Sequence, residues 1–245
     1  MNKTVLITGA SRGIGACTAR VFAKNGYNVI INYNNSMDEA LKLKEELENT
    51  YRVKAFIIKC DVSIESEVID MVDKSLEVFN KIDVLVNNAG IAIDKDFDNK
   101  NVSDFRRTLD VNLIGTFLVS KYVGKHMLNN KSGSIINVSS TNAIDSYYKE
   151  SLDYDASKAG VISLTNNLAN AYAPYIRVNS VAPGWINTDM NKELDSEFIN
   201  NENKKILLGR FAEPVEIANV IYFLASDSAS YINSSVIKID GGRYV

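Results

Sequence analysis

The sequence predicts a single α/β domain over residues 1–245, built on a doubly wound sheet of seven parallel strands. Short runs of aliphatic and β-branched residues alternate with longer amphipathic segments, which is typical of parallel βαβ units with right-handed crossovers. Several of the short runs are apolar nearly throughout, as strands buried on both faces are. A hydrophobic fraction of 46%, without an evident linker or repeat, fits one large core.

Each element follows from its local pattern. Strands are predicted where β-branched and aliphatic residues cluster, at Val5–Thr8, Val29–Asn32, Ala55–Cys60, Val84–Asn87, Ile135–Ser139, Val178–Val181 and Val236–Asp240. Helices are predicted where apolar residues recur at i, i+3 and i+4, at Ile14–Asn25, Met37–Glu48, Glu65–Phe79, Ser103–Leu128, Tyr154–Ala173 and Pro214–Ala225. The segment Asn187–Arg210 is polar, interrupts the alternation and is predicted to be an inserted surface segment.

Charge and composition argue against several classes of function. The net charge of −3 gives no basic signature, so nucleic acid is not a predicted partner. The chain opens on a strand without a signal-peptide pattern, and no apolar run reaches membrane-spanning length. Cys17 and Cys60 are scattered thiols that suit a reducing compartment. We therefore expect a soluble cytoplasmic protein with no membrane partner.

His126 is the single histidine of the sequence and lies inside a helical pattern, where a surface or packing role is expected. One histidine argues against a Ser-His-Asp nucleophile and against a metal site built on several histidines, so no metal is predicted. Acid–base chemistry must then come from Tyr, Lys, Asp or Glu.

The pair Tyr154 and Lys158 is a candidate for that chemistry. If Tyr154 opens a helix, the two side chains lie four residues apart on one face. An ammonium beside a phenol favours the phenolate, so the tyrosine pKa is expected to fall from about 10 toward neutrality. Such a tyrosine exchanges a proton with an alcohol or ketone oxygen, which Ser140, at a predicted strand end, could hold. About one Tyr-x-x-x-Lys pair is expected by chance in such a chain, so the surrounding motifs decide its meaning.

A glycine-rich turn, Thr8–Gly15, follows the first predicted strand and opens a helix. Glycine permits a tight turn there and a close approach of the backbone to a pyrophosphate, which binds at the unpaired N–H groups of the helix start. The alternative is that the glycines only turn the chain. The predicted nucleotide contacts in this turn are Gly9, Ser11, Arg12, Gly13, Ile14 and Gly15.

The end of the second strand indicates which nucleotide binds. A free ribose 2′-hydroxyl usually meets an Asp or Glu about 20 residues after the glycines, whereas this strand end has no carboxylate until Asp38. Arg12 could reach a 2′-phosphate, and Asn34 and Ser36 could donate hydrogen bonds to it. The alternative is that Arg12 covers a surface and the asparagines turn the chain. The pattern favours NADP over NAD.

Further residues follow the ends of later strands, the edge at which open α/β sheets bind ligands. Asp61 follows the third strand, Asn88–Gly90 the fourth, and Pro183 with Gly184 the sixth. Asp61 could instead cap the next helix, and Asn88–Gly90 could be a simple turn. Asn112 is a polar residue in an apolar helical segment, where a solvated position is the alternative to a functional one.

Taken together, these motifs resemble the short-chain dehydrogenase/reductase family over essentially the whole chain. The matching positions are Thr8–Gly15, Asp61 with Val62, Asn87–Gly90, Asn112, Ser140, Tyr154 with Lys158, Pro183 and Gly184 with Thr188, and the terminal Asp240–Gly242. The resemblance implies a Rossmann-type fold and hydride transfer between C4 of a nicotinamide and a carbonyl carbon.

The resemblance also implies a role for each matching residue. Tyr154 would be the general acid in reduction, and Ser140 would orient the carbonyl oxygen. Lys158 would bind the nicotinamide ribose and lower the pKa of Tyr154, while Asn112 would hold a water that links Lys158 to solvent. The implied cofactor contacts are Asp61, Val62, Asn88, Ala89, Gly90, Tyr154, Lys158, Pro183 and Gly184, with Thr188 and the Ile186 backbone at the carboxamide.

Two larger features are implied in the same way. The polar segment 187–210 would be the substrate lid. Because members of the family often form tetramers through the helices around 103–128 and 154–173 and the C-terminal strand, a homotetramer is expected.

Within the family, the closest likeness is to bacterial 3-oxoacyl-[acyl-carrier-protein] reductases. It is carried by the length, the glycine turn, the Asn32-Tyr33 strand end and the Asp240–Gly242 tail. This implies NADP(H)-dependent reduction of a 3-oxoacyl thioester in fatty acid biosynthesis, with acyl carrier protein as a partner.

Two departures keep an alternative substrate open. The interval from Ser140 to Tyr154 is one residue longer than expected and carries the stretch Asp145–Glu150. Where arginines are expected to receive the carrier protein, one equivalent is Lys131, and the helix end Asn170–Tyr175 supplies no arginine. The alternatives are an enzyme acting on a sugar, polyol or hydroxysteroid, and a catalytically inactive NADP sensor, which the intact Ser, Tyr and Lys set disfavours.

Overall fold

A computed structural model of the chain describes residues 2–188 and 194–242. Within them, seven strands form one parallel sheet in the order β3-β2-β1-β4-β5-β6-β7, which confirms the predicted doubly wound α/β fold. The strands are β1 Thr4–Ile7, β2 Asn28–Tyr33, β3 Ala55–Lys59, β4 Val84–Asn87, β5 Gly133–Val138, β6 Ile176–Pro183 and β7 Val236–Ile239. Every predicted strand is present, with ends that differ by two residues or fewer.

The α-helices of the described residues flank this sheet. They are α1 Gly13–Lys24, α2 Met37–Tyr51, α3 Glu65–Phe79, α4 Val102–Leu109, α5 Gly115–Asn129, α6 Leu152–Tyr172, α7 Ser196–Asn203 and α8 Pro214–Ala225. None of them has both the length and the apolar character needed to cross a membrane. Helix α7 lies in the polar segment 187–210, where no helix was predicted, and residues 189–193 of that segment are outside the described part of the chain.

Two predictions about the helices were wrong in detail. The segment Ser103–Leu128 is not one α-helix, because a π-helical turn, Asp110–Ile114, separates α4 from α5. A single π turn leaves the apolar pattern of the sequence almost unchanged, so periodicity did not reveal it. Tyr154 does not open its helix either, since α6 begins two residues earlier at Leu152.

The core lies on both faces of the sheet. Val5 and Ile7 of β1 belong to the cluster shared with α1, α2 and α8, whereas Leu6 belongs to the cluster shared with α3, α5 and α6. All three side chains are fully buried. Burial on both faces is why β1 is apolar at successive positions rather than at alternate ones.

The winding of the chain reverses between β1 and β4, which are neighbours in the sheet. A crevice opens beyond the carboxyl ends of the strands at such a point. Thr8 joins the two strand ends: its backbone N–H donates to the Val86 carbonyl at 3.0 Å, and its Oγ1 accepts from the backbone N–H groups of Asn88 and Ala89 at 3.0 Å each. The floor of the crevice is therefore held by hydrogen bonds between residues about 80 positions apart.

Gly15, a predicted cofactor contact, lies underneath the glycine turn and is buried. A Cβ at this position would lie 2.6 Å from the Gly9 carbonyl oxygen and 2.7 Å from Nδ2 of Asn88. Gly15 therefore allows α1 to pack against the end of β1, and its contribution to the crevice is indirect.

Replacing Gly15 by alanine should destabilise the protein by about 1–3 kcal/mol, because backbone atoms must move to admit the methyl group. Thermal unfolding would show a fall in Tm of about 2–4 °C per kcal/mol. Lys24→Ala, at an exposed position on the same helix, is the matched control and should leave Tm nearly unchanged. An unchanged Tm for Gly15→Ala would contradict the close packing of α1.

Candidate active site

A cleft of about 430 Å³ lies beyond the carboxyl ends of the strands, above the junction of β1 and β4. Its walls include every predicted cofactor contact except Gly15, together with Ser140, Tyr154 and Lys158 from the predicted catalytic set. The fourth predicted catalytic residue, Asn112, lies behind this wall. The sequence motifs, spread over 180 residues of chain, therefore meet in one place.

The glycine turn forms one end of the cleft. Gly9 and Gly13 have φ of +60° and +56°, a conformation that favours glycine. Arg12 precedes α1 with an extended backbone, and no described side chain caps the start of this helix. The start of α1 borders the cleft through Arg12, Gly13 and Ile14. A Cβ at Gly9 would lie 2.9 Å from Cα of Ala89, so the close approach of the turn to Ala89 requires glycine. This arrangement fits a pyrophosphate.

Asn32 holds the turn in place, a role that the sequence analysis did not assign. It is buried on β2; its Oδ1 accepts from the backbone N–H of Gly9 at 3.1 Å, and its Nδ2 donates to the Cys60 carbonyl at 3.1 Å. Its neighbours Asn34 and Ser36 line the cleft, as does Arg12. A buried amide in an otherwise apolar strand was the available signal, because such a group needs internal partners.

Asp61 is fixed by a set of hydrogen bonds at the same end of the cleft. Its carboxylate accepts from the Ser63 hydroxyl at 2.6 Å, from Nη2 of Arg107 at 2.9 Å and from Nδ2 of Asn34 at 3.4 Å. The alternative that Asp61 caps the next helix was wrong, because the residue before α3 is Ile64. Arg107 also lines the cleft, and nothing in its sequence context distinguished it.

Asn112 is fully buried, so the alternative of a solvated helix position was wrong. Its Oδ1 accepts from the backbone N–H of Ile91 at 2.8 Å, and its Nδ2 donates to the Ile91 carbonyl at 2.9 Å. Nδ2 also donates to the Ser157 hydroxyl at 3.0 Å. A Cβ on Gly90 would lie 3.3 Å from both Oδ1 of Asn112 and Nζ of Lys158. The π turn thus brings Asn112 close to Lys158.

The predicted catalytic side chains converge from β5 and α6. Ser140 follows β5, and Tyr154 and Lys158 lie one turn apart on α6. Nζ of Lys158 donates to the Val138 carbonyl at 2.8 Å, and the Ser139 hydroxyl donates to the Lys158 carbonyl at 2.8 Å. These two bonds join the end of β5 to α6, and a hydrogen bond links the Ser140 and Tyr154 hydroxyls. Two hydroxyls and an ammonium therefore share one end of the cleft.

Comparison with known proteins identifies the family. A family model described as "Enoyl-(Acyl carrier protein) reductase" matches residues 9–243. A 3-oxoacyl-[acyl-carrier-protein] reductase FabG of Staphylococcus epidermidis is 40% identical over 246 residues, covering 100% of both chains. The chain belongs to the short-chain dehydrogenase/reductase family of oxidoreductases.

Solved structures of the family have the same fold. A 3-oxoacyl-[acyl-carrier protein] reductase of Brucella melitensis superposes with a TM-score of 0.92 at 32% identity, covering 99% of this chain and 91% of that one. A second Brucella melitensis structure, with bound NAD, has a TM-score of 0.90 at 32% identity and the same coverage. The Rossmann-type architecture implied by the motifs is therefore confirmed.

The electrostatics of this short-chain dehydrogenase/reductase site differ from expectation. Burial raises the pKa of Tyr154 to about 12, although the hydrogen bond from Ser140 opposes this. Burial also lowers the pKa of Lys158 to about 8. The expected acidification of Tyr154 by Lys158 was wrong for the chain alone, because Nζ is 5.5 Å from the centre of the phenol ring and donates to the Val138 carbonyl instead.

A buried ion pair anchors α6 next to Tyr154. Nζ of Lys100 lies 2.6 Å from Oδ1 of Asp153, with side chains that are 5% and 0% exposed. Oδ2 of Asp153 accepts from the Thr108 hydroxyl at 2.6 Å, and Lys100 also donates to the Ile93 carbonyl. Because both charges have partners, the pair ties the segment after β4 and helix α4 to the first turn of α6. The sequence analysis did not find it, since the two residues are 53 positions apart.

Lys158 should make stability depend on pH in a defined direction. Its pKa is about 8 in the folded chain, below the ordinary lysine value of 10.5 that applies to the unfolded chain. Between those values the unfolded chain binds more protons, so raising the pH favours folding. From pH 7 to pH 9 this contributes roughly 1 kcal/mol to the free energy of unfolding. Denaturant titrations of wild type and Lys158→Met at both pH values would measure the difference. Parallel pH dependence of the two proteins would contradict a depressed Lys158 pKa.

Proposed function

We propose that this protein is an NADPH-dependent carbonyl reductase that transfers hydride to the ketone of a 3-oxoacyl thioester, as a 3-oxoacyl-[acyl-carrier-protein] reductase of fatty acid biosynthesis. The observation that carries the proposal is the convergence of the Ser140 and Tyr154 hydroxyls with the Lys158 ammonium in a cleft that fits a dinucleotide. The names of the full-length relatives support the same substrate class.

The side chains supply the proton chemistry of this reaction. When bound, a reduced nicotinamide supplies the hydride that goes to the carbonyl carbon. The Ser140 hydroxyl holds the carbonyl oxygen, and Tyr154 donates its phenolic proton to that oxygen, so the ketone becomes an alcohol. With a pKa of about 12, the Tyr154 phenol is protonated at neutral pH, which is the form a general acid needs. This supports reduction as the direction of the reaction.

A proton relay to solvent is part of the proposal. Lys158 lies one turn after Tyr154 and, with a pKa near 8, carries a proton that it can release. Asn112 lies close to Nζ of Lys158, and both approach Gly90. A water held at Asn112 would connect Lys158 to solvent, and Lys158 would in turn return a proton to Tyr154.

The choice of NADP over NAD rests on the charges around the second strand. Arg12, Asn34 and Ser36 line the cleft at the end of β2, where the strand provides no carboxylate to repel a 2′-phosphate. Asp61 is the nearby carboxylate, and its contact with Arg107 at 2.9 Å offsets its charge. A Brucella melitensis relative has NAD bound, so the preference for NADP is argued from the residues of this chain alone.

Replacing Arg12 by glutamine should raise KM for NADPH about 10- to 100-fold, the effect of losing a charge-assisted hydrogen bond. KM for NADH should stay unchanged, because NADH has no 2′-phosphate. Steady-state kinetics with the two cofactors would measure both values. An equal loss for both would mean that Arg12 contacts a part that the cofactors share.

We also propose one domain over residues 1–245, with segment 187–210 as the substrate lid, and a cytoplasmic homotetramer. Ile114 and Phe117 support the oligomer, because they lie near the start of α5 and are 43% and 41% exposed. Acyl carrier protein is the proposed partner, with Lys131, whose Nζ is 5.7 Å from the Tyr175 ring centre, as a candidate contact.

Substrate assays separate this function from its alternatives. NADPH oxidation would be followed with an acetoacetyl thioester, an enoyl thioester, and a panel of sugars, polyols and hydroxysteroids. The proposal expects the 3-oxoacyl thioester to have the highest kcat/KM. The sugars, polyols and hydroxysteroids are included because of the polar stretch Asp145–Glu150. The enoyl thioester is included because the matching family model is described as an enoyl reductase. Preference for any other compound would overturn the substrate assignment.

Tyr154→Phe should lower kcat about 10²- to 10⁴-fold, because only the acid is removed. NADPH binding, measured by the change in nicotinamide fluorescence, should survive. Tyr147→Phe is the matched control, since Tyr147 is 75% exposed and lies outside the cleft. Retained turnover in Tyr154→Phe would remove the general-acid role from this tyrosine.

A further inference from the structure

The unusual stretch Asp145–Glu150 lies in the loop that joins the two catalytic hydroxyls, Ser140 and Tyr154. The proposed chemistry gives it no role. The loop is not free in the structure, because it is bound at two points, to β7 and to residues after β6 that include α7. At the first point, Oδ2 of Asp145 lies 2.5 Å from Nζ of Lys238 on β7.

The second point is an aromatic and carboxylate cluster. The Tyr148 hydroxyl donates to Oε2 of Glu202 on α7 at 2.9 Å, and Nε1 of Trp185 lies 3.0 Å from both that oxygen and the Tyr148 hydroxyl. Nζ of Lys205 contacts the other carboxylate oxygen at 2.6 Å. Glu202 is 3% exposed, so its charge is buried among donors. We call the group Tyr148, Trp185 and Glu202 the clasp.

A chain of hydrogen bonds connects the clasp to the catalytic serine. The Tyr148 carbonyl accepts from the backbone N–H of Ser151 at 3.0 Å. The Ser151 hydroxyl and Nδ2 of Asn142 both donate to Oδ1 of Asp155, at 2.9 and 2.7 Å. The backbone N–H of Asn142 donates to Oγ of Ser140 at 3.2 Å. The position of Tyr148 is therefore coupled to that of Ser140.

The other side of the clasp belongs to the segment after β6, part of which lines the cleft. Trp185 immediately precedes Ile186, which lines the cleft with Thr188. The indole stacks on Phe211, with ring centres 5.5 Å apart, and meets Phe198 of α7 edge-on at 5.4 Å. The clasp thus joins the wall that carries Ser140 and Tyr154 to the wall that carries Ile186 and Thr188.

We propose that the clasp is a positioning device that fixes the separation of these two walls and so presents the ketone to Ser140 and Tyr154. Tyr148 and Glu202 are positioning residues, which act through the loop and through α7. The expected effect on KM rests on the proposed carbonyl reduction. The expected effect on the surroundings of Trp185 rests on the contacts alone. The clasp therefore assigns a function to the stretch Asp145–Glu150, which departs from the family pattern.

The chemistry of the clasp makes the Tyr148 hydroxyl its sensitive point. A hydrogen bond to a charged group contributes more than one between neutral groups, and a buried carboxylate that loses a donor keeps its desolvation cost. Phenylalanine at position 148 would keep the edge-on ring contact with Trp185, now at 5.6 Å, and remove only the hydroxyl, which donates to Glu202 and accepts from Nε1 of Trp185. The substitution therefore tests these hydrogen bonds separately from the packing.

The test compares Tyr148→Phe with Tyr147→Phe, because the neighbouring tyrosine bonds only within its own loop, to the Ile144 carbonyl at 3.0 Å, among the contacts described. Tyr148→Phe should raise KM for an acetoacetyl thioester about 10-fold, with a smaller change in kcat. Trp185 is the single tryptophan of the sequence, so its fluorescence reports on the clasp directly. Acrylamide quenching of that fluorescence should increase in Tyr148→Phe and stay at the wild-type level in Tyr147→Phe.

Glu202→Gln provides a second route to the same result, since it removes the charge and keeps the shape. It should raise KM and quenching in the same direction, with a far-UV circular dichroism spectrum like that of wild type. Wild-type values of both KM and quenching in Tyr148→Phe and Glu202→Gln would overturn the proposal. If wild-type protein does not reduce the thioester, the proposed function fails, while the quenching comparison still decides whether the clasp exists.

Discussion

The site depends on β1 and β4 ending side by side. Oγ1 of Thr8 accepts hydrogen bonds from the backbone N–H groups of Asn88 and Ala89, which follow β4. Nδ2 of Asn88 in turn donates to the carbonyls of Thr8 and Gly9 at 2.9 and 3.0 Å. These reciprocal bonds hold the glycine turn in a conformation that exposes the start of α1. If the strand ends were separated, the glycine turn would lose these partners and the cleft would lose its floor.

A buried polar network extends this constraint to α6, the helix that carries Tyr154 and Lys158. Nδ2 of Asn87 on β4 donates to Oδ1 of Asn137 on β5 and to the Ser120 hydroxyl on α5, each at 2.8 Å. Nδ2 of Asn137 donates to the Thr165 hydroxyl on α6 at 2.9 Å. Apolar packing tolerates sliding of a helix on a sheet more readily than directional hydrogen bonds do. The network therefore fixes the register of α6, and with it the place of Tyr154.

The proposed catalytic group combines burial with a hydrogen bond to the backbone. Burial holds the Tyr154 phenol in its protonated form and weakens the hold of Lys158 on its proton. The bond from Lys158 to the Val138 carbonyl keeps the ammonium at the end of β5. Without a cofactor, Tyr154 is therefore a protonated phenol that can donate its proton.

The sequence by itself determined the seven parallel strands, the glycine turn and the family, because these depend on local patterns and on motifs whose order along the chain is fixed. It also identified Ser140, Tyr154 and Lys158 as a candidate group, because Tyr154 and Lys158 have helical spacing, Ser140 lies at a strand end, and the three match the motif of the family. Only the tertiary structure decided the pKa of Tyr154, because desolvation and the direction of the Lys158 ammonium depend on neighbours distant in sequence. The same holds for the Lys100–Asp153 pair, 53 residues apart, and for the clasp. A contact between side chains that are distant in sequence leaves no periodic signal, so it can be seen only in the folded structure.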